Sequence, residues 1–421
     1  MNRRRFLALG AGGLAALGAS PQEPSGFVVH EWGVVSLAYG SSVWGNARTA
    51  GAKAAQGAEV PSDLPPFVSK WEDHVREQIQ DWQMQPVDKP VVYFYADRAT
   101  EISVRVGVPA GRPKAWWPPA SDFGPTFHGR PMRGFSRVNP EETRLENIKP
   151  QNGSVSWNRL TLDPSAGEFP TADGWWALAR EVDATPLRFP EPPATLKFGM
   201  RRKPLSKDLP RAEKFLFYDA LTPFDPGLEV SFGKETVEVT NRAHPSVARA
   251  FAIRVRRGEC WFGSGANLAK DSPARIALAK GMPDLVPALV EAGLFRKEAE
   301  SIVRIWSDEF FKVDGTRVLA LLPQAAYDAL LPIEIKPAPR TLVRTLIAHL
   351  ECLDADEKAS IRALAQELGS DEPQKRDAAA GRIKARMPLA ESTVREVLQN
   401  VQDPEIRARL DDLLKPRPSS K

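Results

Sequence analysis

Cysteine is nearly missing from this chain, with only Cys260 and Cys352 among 421 residues. Two distant cysteines exclude a Cys-based zinc site, a CxxC redox pair and a disulfide framework. They could still pair in an oxidising compartment. Cys260 falls on an expected strand and Cys352 late in an expected helix, so two separate buried thiols are expected. Histidine is also scarce: His30, His74, His128, His244 and His349 never cluster, so no metal-ligand spacing appears. Charge of one sign is lacking too. The formal balance is +4, but Arg3, Arg4 and Arg5 lie in a segment expected to be removed. That leaves 54 basic against 53 acidic residues, too even for a nucleic-acid or anionic-membrane partner to follow from charge. No apolar run approaches the ~20 residues of a membrane span. There is no G-x-S-x-G elbow, no P-loop and no EF-hand loop.

What the chain does have is ordinary globular composition, 42% hydrophobic and 26% charged, with 38 prolines and 11 tryptophans. Asn2-Arg3-Arg4-Arg5-Phe6-Leu7 opens an apolar Gly/Ala run to Leu17 with no acidic residue. A basic start, a short apolar stretch and small residues after it read as a signal peptide. The Arg-Arg-x-Phe-Leu order resembles the twin-arginine export signal. Small residues at Ala16 and Gly18 place the expected cleavage after residue 18. Periplasm or secretion is the expected location, with no stable membrane anchor after cleavage. Gly10-Ala11-Gly12-Gly13-Leu14-Ala15 imitates a dinucleotide fingerprint, but it has no preceding strand and no βαβ unit around it. No cofactor is expected.

Along the mature chain, Phe27–Val35 reads as an apolar strand, 39–66 as a long Gly/Ser/Ala-rich loop, and Val68–Gln80 as a short helix. Val104, Val106 and Val108 alternate with Ser103, Arg105 and Gly107, the period of two of a half-buried strand. Further strands are expected at 91–95, 154–162, 251–256 and 260–262, and a hairpin turns at Gly233. Many short strands separated by Pro- and Gly-bearing loops predict an elaborated antiparallel β-sandwich over 19–270. Residues 271–353 predict an α+β block packed on it, with helical stripes at Ala299–Phe310 and Leu342–Leu350. Residues 354–421 predict a small all-helical, HEAT-like tail, with Asp403-Pro404 opening its last helix. The expected fold class is therefore α+β.

The segment Val29-His30-Glu31-Trp32-Gly33 resembles the opening motif of an uncharacterised family of exported bacterial proteins common in planctomycetes and myxobacteria. Pro90–Tyr95, Trp175-Trp176-Ala177 through Arg180 to Asp183-Ala184, and Glu213–Tyr218 fit the same family in order. So do Gly293-Leu294, Glu298-Ala299, Leu322-Pro323 and Leu331-Pro332. The likeness runs from Phe27 to Glu351. It departs at Val34-Val35, where the family often has Thr-Phe, and at Trp116-Trp117, where its aromatic pair often includes Tyr. The resemblance implies export and no particular chemistry.

Candidate chemistry rests on few residues. His30 and Glu31 are a base and a carboxylate, but neighbours on a strand face opposite ways. With Val34 four residues on, no zincin pattern forms. Arg180 and Asp183, three apart beside Trp175 and Trp176, could form a buried ion pair or a polar corner of a cleft. Trp116 and Trp117 before Pro118-Pro119 are expected in a loop, where indoles stack on sugars or clamp proline-rich peptides. Core burial competes with function at every one of these positions. Two readings stay open: a binding or scaffold protein whose partner is a cell-envelope glycan or protein, and a cell-envelope hydrolase with its site on the sandwich loops.

Overall fold

The computed structural model describes residues 25–38, 64–70, 85–124, 152–191, 205–387 and 389–414. The leader expected at 1–18, most of the loop expected at 39–66, most of the helix expected at Val68–Gln80, His74 and His128 lie outside them. The start of that expected helix is corrected, since Ser69–Lys70 is a strand.

Among the described residues the chain is mixed α and β, with largely antiparallel sheets and an α+β character. A ten-stranded sheet runs in the order β16 (Ala279–Lys280), β14 (Glu259–Ala269), β13 (Ser246–Arg256), β17 (Gly315–Leu322), β19 (Pro339–Cys352), β1 (Ser25–Ala38), β3 (Gln85–Tyr95), β10 (Leu216–Thr222), β5 (Arg112–Trp117) and β2 (Ser69–Lys70). The second sheet follows β18 (Ile333–Lys336), β4 (Thr100–Val108), β7 (Gly153–Leu162), β8 (Leu187–Arg188) and β9 (Ala212–Glu213), with β6 (Asp122–Gly124) on β7. The third is a small meander of β11 (Leu228–Phe232), β12 (Thr236–Asn241) and β15 (Pro273–Ala277). Strands from both sides of residue 270, where the sequence changes character, are neighbours in the large sheet.

At its centre β1 and β19 run parallel, register by register from Val28–Thr341 to Ala38–Glu351. The other described pairings of that sheet are antiparallel. This corrects the helix expected at Leu342–Leu350. Val343, Thr345 and Ile347 are β-branched, and the run from Arg344 to Leu350 is buried on both faces. A doubly covered strand carries apolar residues continuously, and that pattern imitates a helical stripe.

Among the described residues five helices pack on the sheets: α1 (Trp175–Ala179), α2 (Val286–Glu291), α3 (Arg296–Ile305), α4 (Ser307–Phe311) and α5 (Gln324–Leu330). One apolar core joins them to the three sheets, from Phe27 to Cys352. A second core begins at Leu353 and is built by α6 (Ala355–Glu367), α7 (Pro373–Ala385), α8 (Glu391–Asn400) and α9 (Pro404–Leu414). Leu364, Leu368, Val394, Val397, Ile406 and Leu410 are buried there, with Leu398 and Leu413 at its rim. Asp354 caps α6 in a reciprocal box with Glu357. Arg256, at the end of β13, reaches Asp354 at 2.9 Å and Glu357 at 3.1 Å, tying the two cores together.

Both thiols are free and buried. Cys352 closes strand β19 rather than a helix. Cys260 pairs with Val255, Val255 with Gly315, and Thr316 with Cys352, so three strand spacings separate the thiols. At ~4.8 Å per spacing that is about 14 Å, twice the reach of a disulfide. No helix among the described residues is long and apolar enough to cross a membrane.

Candidate functional site

The His30-Glu31-Trp32-Gly33 segment lies mid-sheet on β1, and its pleat sends His30 and Glu31 to opposite faces. On one face His30 Nδ1 donates to Glu298 Oε2 at 2.8 Å. Glu298 is fully buried at the third position of α3, where it also accepts the Phe295 backbone N–H at 2.6 Å and the Tyr95 hydroxyl at 2.6 Å. Three donors on one carboxylate fasten the start of α3 to β1 and β3. Burial, reinforced by the adjacent Glu298 charge, pushes the Tyr95 hydroxyl far above its ordinary range, so it stays a donor. The rings of His30 and Tyr95 lie under Phe295, with centroids 4.4 and 4.8 Å away, and Phe295 itself is 49% exposed.

On the other face Glu31 Oε2 receives Arg344 Nε at 2.6 Å, and both side chains are fully buried. Tyr218 donates to the other oxygen of Glu31. Burial raises the Tyr218 pKa, and the Glu31 charge adds to it. Arg344 also reaches Asp328 and the Leu331 carbonyl, each at 2.8 Å, and lies 4.1 Å over the Tyr327 ring. Gly33 completes the motif, because a Cβ there would stand 2.5 Å from the Tyr327 hydroxyl. Trp32 is fully buried. Each residue of the motif thus has a packing reason.

The expected Arg180–Asp183 pair does not form. Arg180 grips Glu213 instead, with Nε to Oε1 at 2.8 Å and Nη2 to Oε2 at 2.7 Å. The indole N–H groups of Trp117 and Trp176 donate to the same carboxylate at 3.2 and 3.1 Å. Asp183 points to solvent and meets Lys297 at 2.7 Å. Local spacing favoured Asp183, but bidentate geometry and two buried indoles select the distant carboxylate. The expected aromatic platform is corrected as well. Trp116 and Trp117 end strand β5 rather than a loop, and Trp175 and Trp176 open α1. All four are buried, packed against Phe67, Phe123, Phe189, Phe215 and Phe217.

No known protein family, curated protein or solved structure matches the chain.

A third constellation was not visible beforehand. Ser36 on β1 stands opposite His349 on β19, with its hydroxyl 3.3 Å from Nδ1, and Nε2 of His349 is 2.9 Å from Glu351 Oε1. Arg317, also fully buried, holds that carboxylate at 2.9 Å. Burial of Glu351 is outweighed by the Arg317 charge, so its pKa falls below the usual carboxylate range. The order of groups is that of nucleophile, base and acid, but Ser36 is fully buried. No grouping of three or more metal-capable side chains occurs among the described residues.

Of the nominated residues, Arg180, Trp117 and Trp176 meet at the Glu213 carboxylate, while His30 and Asp183 flank the start of α3 through Glu298, Phe295 and Lys297. Their partners Glu298, Arg344 and Glu213 were missed as site residues. The one available signal was that Glu213 and Glu298 fall inside segments that carry the family resemblance.

Proposed function

We propose that this is an exported cell-envelope protein that works by binding or scaffolding. The observation that carries the reading is the saturation of the carboxylates at its candidate sites. Glu31, Glu213 and Glu298 are each fully buried and each held by two or more internal donors. Catalytic acids and bases need a position left open for substrate. These carboxylates instead lock strands to helices and stiffen a frame. The leader, with its Arg-Arg-x-Phe-Leu order, and the resemblance to an exported family support the address. The contacts of β5 with β7 and of β10 with β4 support a sandwich of the two larger sheets.

A hydrolase reading draws on Ser36, His349 and Glu351. Two experiments separate the readings. Arg3→Lys with Arg4→Lys is expected to leave precursor in the cytoplasm, and unchanged export of that variant overturns the address. The purified mature chain is expected to co-sediment with isolated cell-wall sacculi and to resist a fluorophosphonate probe. A chain that stays in the supernatant while Ser36 is labelled overturns the binding reading.

A further inference from the structure

We infer that the corner at the start of α3 is a ligand site for a carboxylate-bearing glycan, with Phe295 as its stacking surface and Lys214 and Lys297 as its anion contacts. This rests on the binding reading above and names its ligand.

Phe295 is one of three large apolar residues exposed among the described residues, with Met282 and Val313, and it is 49% exposed. Unlike a solitary surface ring it is immobilised, with His30 and Tyr95 packed beneath it. A ring already fixed loses little rotamer freedom when a sugar lies on it.

The polar groups around it carry unspent capacity. His30 is 97% buried, its Nδ1 is committed to Glu298, and its Nε2 has no hydrogen-bond partner among the described residues. An imidazole whose second nitrogen is left unpaired, in contact with an exposed ring, is suited to meet a hydroxyl at that ring's edge. Lys214 follows Glu213 in sequence. Its backbone N–H binds Glu213, and its ammonium has no hydrogen bond or ion pair among the described residues. Burial lowers its pKa, with Asp183 and Lys297 the charges that act on it. A half-buried cation whose counter-charge is a solvent-exposed carboxylate shared with Lys297 gains from a second anion placed beside it. Lys297 is two residues beyond Phe295 and among the described residues is held only by Asp183, in a pair whose side chains are 58% and 75% exposed. Such a pair is weak and easily shared with an incoming carboxylate. The three N–H groups at the start of α3 that Glu298 does not take add a favourable field for negative charge.

An aromatic face, a hydroxyl-binding nitrogen and two ammonium groups specify an acidic sugar rather than a neutral one. The aromatic face recognises the ring, and the lysines discriminate its charge. The Glu298 carboxylate orients His30, so it is a positioning residue of this site.

The test is calorimetric titration of the mature full chain with oligogalacturonate and, in parallel, with a neutral galactan of equal length. The wild type is expected to prefer the acidic oligomer. Lys214→Gln and Lys297→Gln are each expected to lower that affinity about five- to tenfold while leaving the neutral oligomer unchanged. Phe295→Ala is expected to weaken both. Equal affinity of the wild type for both oligomers overturns the proposal, as does full acidic preference in the Lys214→Gln/Lys297→Gln double variant with an unchanged melting temperature. As a second readout, the His30 imidazole ¹⁵N shifts are expected to move on titration with oligogalacturonate, and unmoved shifts at saturation count against the site. Binding to sacculi that survives all three substitutions would remove this site and leave the binding reading standing. Absence of any sacculus binding would remove the broader reading.

Discussion

Glu31 and Arg344 are the two fully buried ends of one ion pair in the middle of the large sheet. Replacing either alone with Met strands the other charge in the core, at a cost of about 3–5 kcal/mol. Asp328 offers Arg344 little relief, because its side chain is 46% exposed and solvated. The double variant strands no charge. What it loses is the partner of the Tyr218 hydroxyl and of the Leu331 carbonyl, each worth about 1–3 kcal/mol when left unpaired. The double change should then cost about 2–6 kcal/mol, against about 6–10 kcal/mol if the single losses added. Urea unfolding followed by tryptophan fluorescence measures all three variants. All 11 tryptophans lie at or before Trp306, so none belongs to the helical tail, and the eight described ones stand on or against the sheets. Additivity of the two single variants within about 0.5 kcal/mol would refute the reasoning, because it would mean that the two charges do not compensate each other.

The Arg188 hydrogen bond, helped by Ser165, lowers the Asp163 pKa to about 2. Its contribution to stability is therefore present above the ordinary carboxylate pKa and is lost as pH falls through about 2; carboxyl NMR of Arg188→Gln should show Asp163 titrating back near its ordinary value, and an unmoved titration would contradict the assignment. Burial pushes both thiols upward, Cys352 most strongly. The native protein should resist a thiol reagent at neutral pH and expose two thiols in urea, and recovery of a Cys260–Cys352 cross-linked peptide would contradict the sheet order.

Local patterns could be read from the chain because their causes are local. The alternation at Val104–Val108 is a pleat, Asp403-Pro404 is a helix start, and the opposite facing of His30 and Glu31 follows from backbone geometry alone. The partners could not be read. Glu298 lies 268 residues from His30, and Arg344 lies 313 residues from Glu31. Nothing in local spacing encodes such distances. Arg180 shows the same failure at short range: Asp183 was three residues away, but the two indoles that desolvate Glu213 come from α1 and β5. β19 misled for a different reason, since a strand covered on both faces loses the alternation that marks strands.

The parallel pairing of β1 with β19 also has a kinetic consequence. The first strand of the frame meets its central neighbour only after more than three hundred intervening residues have been synthesised. Until then β1 has an open edge in the nascent chain, and such high contact order makes folding slow and exposes that edge to aggregation. The frame can therefore close only once the ribosome has released nearly the whole polypeptide.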